Sequence, residues 1–482
     1  MSTSEKKPVN RVLYDTYNKL IDELYESRDK YYILNPNSNN EDRIKALNRK
    51  LEELVSQIDR ARDEFNSISS YLVLVGRAHN VIPEYSQKSF DALSKAVKLD
   101  PKCYDAWNYL GECYWKQRDF ESSRNCFLKS LSIEKNKLSL RGLSMINRQL
   151  AIIPPSTPPS ISATPLANSE SAAAITPKSL IEDSVKYAKE ALQLDIKDGL
   201  SWYILANSYL AQFFSPSGQQ KPDLLKQAIK AYQLALKEDA ASLQSDLYYN
   251  KSIASLYEED WKDVLFCLDK TLQLDPNWNE VYETLKGVLD YLTQIQDSIT
   301  NNGKLKAKKF QSLVSSISDS DAGPYLNKFK VDENGVNDER RAFNLNFVCL
   351  KDLKTGLNSN KVVIGTVISG MPIKTFDMVC FSCCIADKNG DCALLTIYNL
   401  IKGEGVIIGD KVAIPEPWFE NIEFQFEPSD PVRMNNSDIH EKYNSKFNSV
   451  RVENPSVLVV NGKKWTKDKF STAKFVPTVL DD

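Results

Sequence analysis

The sequence predicts an all-α repeat solenoid followed by a C-terminal all-β domain, and three observations predict it. A helical pattern with fixed internal spacing recurs through the middle of the chain. Helical periodicity fades beyond Ile299. After that point short apolar runs are punctuated by Pro, Gly, Asn and Asp. The 482 residues allow two or three folding units, and 42% hydrophobic with 26% charged residues suits a soluble chain with a sizeable core.

Residues 1–70 read as N-terminal capping helices. Arg11 to Arg28 and Glu41 to Ser67 carry helical periodicity, and Leu47, Leu51, Leu54 and Ile58 recur at the spacing of one helix face. Residues 71–299 read as tetratricopeptide repeats. In AWNYLGECYWKQRDFESSRNCFLKSLSIEKN, Trp107, Leu110, Gly111 and Tyr114 occupy positions 4, 7, 8 and 11, and Ser123, Phe127 and Ser130 occupy 20, 24 and 27. Large residues at 4, 7 and 11 share one face of the first helix, and a small residue at 8 lets the second helix approach. SWYILANSYL repeats this with Trp202, Leu205, Ala206 and Tyr209. Ala228, Tyr232 and Ala235 follow after a ten-residue insertion, FFSPSGQQKP and its neighbours. Weaker units begin near Tyr71, Lys137 and Ser245, and Asp-Pro at Pro101 and Pro276 closes two of them.

The Pro/Ser/Ala-rich stretch 152–178 has almost no charge or aromatic content, so a disordered loop is expected there, between the two helices of one unit. Residues 300–320 read as a basic helical linker. Residues 325–482 read as an OB-fold domain with a flexible, Asn-rich insert near Ser429 to Asn448 and a flexible tail. The strand-like runs are FNLNFVCL, KVVIGTVIS, DMVCFSCCIAD, CALLTIYNL, DKVAIPEP, IEFQFE, FNSVRVE and PSVLVVNGK. A β-sandwich is the other architecture these runs allow.

Composition narrows the function. Lys+Arg 61 against Asp+Glu 64 argues against a surface coated for nucleic acid, though not against a local basic patch. Two histidines, His79 and His440, disfavour His-based catalysis. Among the nine cysteines only Cys380, Cys383 and Cys384 resemble a metal cluster, and no second pair or nearby His completes four ligands. No apolar run is long enough to span a membrane, and Met-Ser-Thr-Ser-Glu-Lys-Lys lacks the apolar core of a secretory signal. No phosphate loop, zinc-protease motif or nucleophile elbow is present, so the expectation is a non-enzyme without cofactor or metal. Tyr398 and Phe381 read as core or strand-face residues, which disfavours single-strand nucleic-acid binding by the β-region.

A solenoid of this kind offers a concave surface lined by positions 2, 5, 6, 9, 12 and 13 of the first helices. Asp246 and Glu280 fall at position 2 of consecutive units and Arg148 at position 12. Tyr203 and Tyr249 at 5, Asn250 at 6 and Asn207 at 9 add aromatic and amide groups. Such a set suits an extended peptide with a cationic group for the two acids and a carboxylate for Arg148. The alternative is that these charges are simply solvated and that the Asn and Tyr residues bond neighbouring helices instead. Lys304, Lys306, Lys308 and Lys309, four lysines in six residues, suit a phosphate backbone rather than a base sequence. An ordinary basic linker is the other reading.

The blocks LSKAVKLDP, KNKLSLRGLSMINRQL, DGLSWYILANSYL, GKLKAKKFQSLVSSI, GVIIGDKVAIPEP and SVRVENPSVLVVNGK follow one another from about Tyr71 to Lys463. In that order they resemble the tetratricopeptide repeat protein 5 (Strap) family. The resemblance implies recognition of the N-terminal Met-Arg-Glu-Ile or Met-Arg-Glu-Cys of nascent tubulin at the ribosome, followed by decay of tubulin mRNA through a decay adaptor. It also implies, alternatively, a nuclear stress-response scaffold for an acetyltransferase coactivator and a transcription factor, hence a cytoplasmic and nuclear location. Under it, Arg148, Asp246 and Glu280 correspond to peptide-groove charges, and Lys306 and Lys308 to residues facing ribosomal RNA.

Overall fold

The computed structural model describes residues 11–65, 67–152, 176–215, 222–326, 345–371, 380–401, 403–430, 432, 439 and 442–466. Most of the expected loop after Leu150, residues 216–221 of the insertion, much of the Asn-rich insert and the tail from 467 lie outside the described residues.

The helical part begins with α1 (Arg11–Asp29), α2 (Tyr31–Leu34) and α3 (Asn40–Arg60). Asn39 caps α3 by accepting from the Asp42 amide at 2.9 Å. Leu47, Leu51, Leu54 and Ile58 form its buried stripe, against Ile21 and Leu24 of α1. Helical pairs follow: α4 (Ile68–His79) with α5 (Gln87–Leu99), α6 (Tyr104–Lys116) with α7 (Phe120–Ile133), and α8 (Lys137–Ile152) with α9 (Pro177–Leu194). Next come α10 (Gly199–Phe214) with α11 (Pro222–Ala235), a short α12 (Asp239–Ser242), and α13 (Ser245–Tyr257) with α14 (Trp261–Leu274).

The pairs close through a repeated device. A serine on the second helix donates to a carbonyl on the first: Ser89 to Gly76 and Ser123 to Gly111, each at 2.7 Å. Between α6, α7 and α8 the Phe127 ring fills a slot that only glycine leaves open. A Cβ at Gly142 would stand 2.6 Å from that ring, and one at Gly111 3.0 Å from it. Both ends of the stretch 152–178 are helical. Ile152 still belongs to α8, and α9 starts at Pro177. The cause is local: Thr176 and Ser179 form a reciprocal capping box and Pro177 takes the first helical position, where its missing N–H is harmless.

The chain divides into two compact units. The first holds α1 to α13 and the segment Cys267–Asn279; the second holds Asp260–Phe266 and everything described from Glu280 onward. The helix α15 (Asn279–Thr300), which the sequence suggests as the last solenoid helix, thus lies almost wholly in the second unit. Its C-terminal end is tied to the β-domain, where the Lys446 amide donates to Gln296 Oε1 at 2.8 Å. A 3-10 turn, Asn302–Lys304, and α16 (Ala307–Ser315) lead into the sheet.

The strands are β1 (Asn346–Phe347), β2 (Gly356–Leu357), β3 (Lys361–Gly370), β4 (Cys380–Ala386), β5 (Cys392–Tyr398), β6 (Lys411–Pro415), β7 (Trp418–Phe426), β8 (Tyr443–Val452), β9 (Val459–Val460) and β10 (Lys463–Lys464). β3, β4 and β5 form an antiparallel meander, and β8 joins β5 in parallel. β6 and β7 are two halves of one path bent at Glu416 (φ 44°) and Pro417; the first half pairs with β3, the second with β8. That change of partner closes the sheet on itself, the OB-fold solution to the edge-strand problem. Val363, Val367, Ile385, Leu395, Ile397, Val412, Ile414 and Val450 fill the interior.

Candidate functional site

The first helices bring several of the sequence-selected residues together, but not as an open charged floor. Arg148, on α8, is 1% exposed. Its Nη1 donates to Ser144 Oγ at 3.3 Å and to Ser208 Oγ of α10 at 3.1 Å. Ser144, Ser184 and Ser208 form a buried hydroxyl cluster joining α8, α9 and α10. The expectation of an exposed Arg148 therefore needs correcting. Small residues let three helices close over it, and a serine at each contact gives the guanidinium somewhere to donate.

Five residues before Ser208 along α10, Tyr203 donates from its phenol to Asp246 Oδ2 of α13. Asn250 Nδ2, one turn further along α13, donates to the same phenol oxygen at 3.3 Å. Asn250 and Tyr203 are buried, at 0% and 5% exposure, whereas Asp246 remains partly exposed. The amide and aromatic residues expected to line the floor thus stand beneath it and hold the carboxylate. Asn207 is similarly drawn inward, where its Oδ1 accepts from Tyr232 at 2.6 Å. Tyr249 stacks near Trp278 with ring centroids 5.0 Å apart. Glu280 is exposed at the start of α15, in the second unit.

The concave side of α6 is already occupied. Asp105, Tyr109 and Glu112, at positions 2, 6 and 9 of that unit, face α1. Arg77 bonds Asn18 Oδ1 at 2.8 Å, pairs with Asp22 and lies over the Tyr25 and Tyr109 rings. Burial pushes the Glu112 carboxyl above its ordinary range, against the pull of Lys116, Arg77, Arg141 and Arg28. The same burial pulls the Lys116 ammonium down to about 8.

The basic segment is exposed at all four lysines. Asn302, Gly303 and Lys304 have φ of 49°, 70° and 58°, an unusual left-handed run. Lys304 is not a free cation, because Asp297 of α15 pairs with it at 2.5 Å and is held below the usual carboxylate range by that bond. Sequence reading missed this acid because it lies seven residues upstream on the preceding helix. Lys306 caps α16 through its backbone, and Lys308 and Lys309 occupy the first turn. Gly303 seats on β3 beside a register shift between Val367 and Ser369, and a Cβ there would stand 2.5 Å from the Ile368 carbonyl. Gly303→Ala is accordingly expected to lift this segment from the strand, with faster amide exchange over residues 301–306 and weaker binding to a polyanion. The left-handed conformation alone costs an ordinary residue about 1–2 kcal/mol.

Cys380, Cys383 and Cys384 lie on β4, where Cys383 and Cys384 are buried. Among the described residues no group of His, Cys, Asp and Glu is arranged to hold a metal. No helix of the described residues is long and apolar enough to cross a membrane.

Stacked helical pairs enclosing a carboxylate, followed by an OB-fold, define a repeat adaptor that binds peptide or protein segments. The tetratricopeptide repeat model matches residues 104–137, and the model "Tetratricopeptide repeat protein 5 OB fold domain" matches 344–474. Tetratricopeptide repeat protein 5 of Bos taurus is 34% identical over 466 residues, covering 96% of both chains. That of Homo sapiens is 34% identical over 464 residues, again covering 96% of each. The chain belongs to the tetratricopeptide repeat protein 5 family. Among solved structures it is similar to the APC/C hetero-tetramer Cut9-Hcn1, with a TM-score of 0.40 at 14% identity over 60% of this chain and 50% of that one.

Proposed function

We propose that this adaptor holds the N-terminal Met-Arg-Glu of nascent tubulin at the ribosome in the cytoplasm and thereby leads to decay of the tubulin mRNA. The observation that carries the reading is Asp246, a partly exposed carboxylate held from beneath by Tyr203 and Asn250. A carboxylate fixed in this way is ready for a guanidinium or an amine without first being ordered. Arg148 would turn from the serine hydroxyls toward the ligand glutamate and form a charge-assisted bond with it. Lys306, Lys308 and Lys309 would meet the ribosomal RNA backbone. Their positive charge at the start of α16 opposes that helix's own dipole, so helix stability does not explain them, whereas a phosphate there suits both.

Calorimetric titration of the full-length chain with a Met-Arg-Glu-Ile peptide tests the reading. Asp246→Asn should weaken binding about 10- to 100-fold, the range for a hydrogen bond to a charged group. A peptide with alanine in place of its arginine should lose as much on the wild type and little further on the variant. Equal affinity of both chains for the two peptides would refute the assignment of Asp246.

A further inference from the structure

The three N-terminal helices reach two separated parts of the first unit. On one side, Tyr14, Tyr25 and Arg28 of α1 act electrostatically on Asp105, Tyr109 and Glu112, the concave positions of α6. Arg77 bridges Asn18 of α1 and the Tyr109 ring, and Arg28 donates to the Val81 carbonyl at 3.4 Å. On the other, Tyr32 of α2 accepts from Asn277 Nδ2 at 2.8 Å, a contact between residues 245 positions apart. Arg43 of α3 stands 5.2 Å from the centre of the Tyr32 ring and acts electrostatically on Asp275. Lys30 feels the Asp239 carboxylate of α12. The loop that receives Tyr32 is itself fixed, because Trp278 packs on Tyr249 of α13. Both ends of the connection therefore rest on ordered structure within one unit, and α8, α10 and α13 lie between them in the chain.

We infer that α1–α3 act as a strap across the concave face, so that the ligand site is an eyelet that admits a chain end and refuses a segment flanked by folded domains. This rests on the peptide reading above and adds to it a steric source of end selectivity, separate from any contact to the terminal amine. The α1 end of the strap is bound by apolar core, with Ile21 and Leu24 buried among Leu51, Leu54, Ile58 and Leu74. The α2 end is held by polar and stacking contacts at Tyr32, the weaker of the two attachments, and so forms the latch.

The test uses the full-length chain and three fluorescent probes. The first carries Met-Arg-Glu at a free N-terminus with a folded carrier behind it. The second is its N-acetylated form, and the third embeds the same segment between two folded carriers. The wild type is expected to bind the first two and to bind the embedded probe more than about tenfold more weakly than the acetylated one. Asn277→Ala, at an exposed position that leaves the core intact, and Tyr32→Ala should each narrow that gap by admitting the embedded probe. Equal binding of the acetylated and embedded probes by the wild type would overturn the strap while leaving the peptide site standing. So would a gap unchanged in both variants. Failure to bind even the free-ended probe would remove the peptide reading and the strap with it.

Discussion

Arg148→Asp is expected to destabilise the helical unit by about 3–5 kcal/mol, the cost of a buried charge left without its partner. The position is 1% exposed and faces the hydroxyls of Ser144 and Ser208, which would have to reorganise around a shorter anion. Charge reversal here therefore cannot serve as a clean binding variant, although the sequence suggests a surface residue. Arg148→Met keeps much of the volume and removes the charge, so it should retain a cooperative melt close to that of the wild type. It should nevertheless bind Met-Arg-Glu peptides no better than peptides with glutamine in place of the glutamate. Thermal melts followed by titration separate the two roles. A Met variant that still discriminates glutamate from glutamine would show that Arg148 only holds α8 to α10.

The second large effect concerns the ribosome. Lys306→Ala combined with Lys308→Ala should leave peptide affinity unchanged and sharply reduce co-sedimentation with ribosomes. The salt dependence gives the sign and size. Removing one lysine that neutralises a phosphate lowers the slope of log K against log salt by about 0.7–0.9, so the double variant should fall by roughly twice that. Lys304→Ala should change the slope less, because Asp297 already pairs with that ammonium. A slope identical in wild type and double variant would mean that these lysines touch no phosphate.

Much of the helical half was legible because the spacing of the repeat is itself a packing rule. Gly111 and Phe127, at positions 8 and 24, are the close approach and the ring that fills it. Ser123 and Ser130, at 20 and 27, are fully buried. The site was legible in part. Periodicity assigns a residue to a helix face, but it does not say how near the next helix comes. Arg148, Asn207 and Asn250 therefore read as groove-lining and are buried instead. A signal was available in Ser144, Ser184 and Ser208, three small hydroxyl residues on neighbouring helices, which together mark a seam closed over a polar group. Tyr203 shows the same limit from the other side, since its phenol reaches a carboxylate 43 residues away that no local spacing connects to it. In the β-domain the long strands stand out by their apolar runs. β2, β9 and β10 are two residues each and carry no periodicity of their own, and the bend at Pro417 splits what reads as neighbouring runs into one path with two partners.

The seating of Gly303 on the Ile368 carbonyl has a consequence for speed and strength of encounter. Ordering a backbone residue costs about 1–2 kcal/mol of conformational entropy. Here that loss is incurred when the domain folds rather than when a polyanion arrives. A tethered but unstructured lysine run would face the same charge with the opposite timing, and would have to freeze as it docked. The clamped turn should therefore lose little further conformational entropy when it binds, and its on-rate should depend little on temperature.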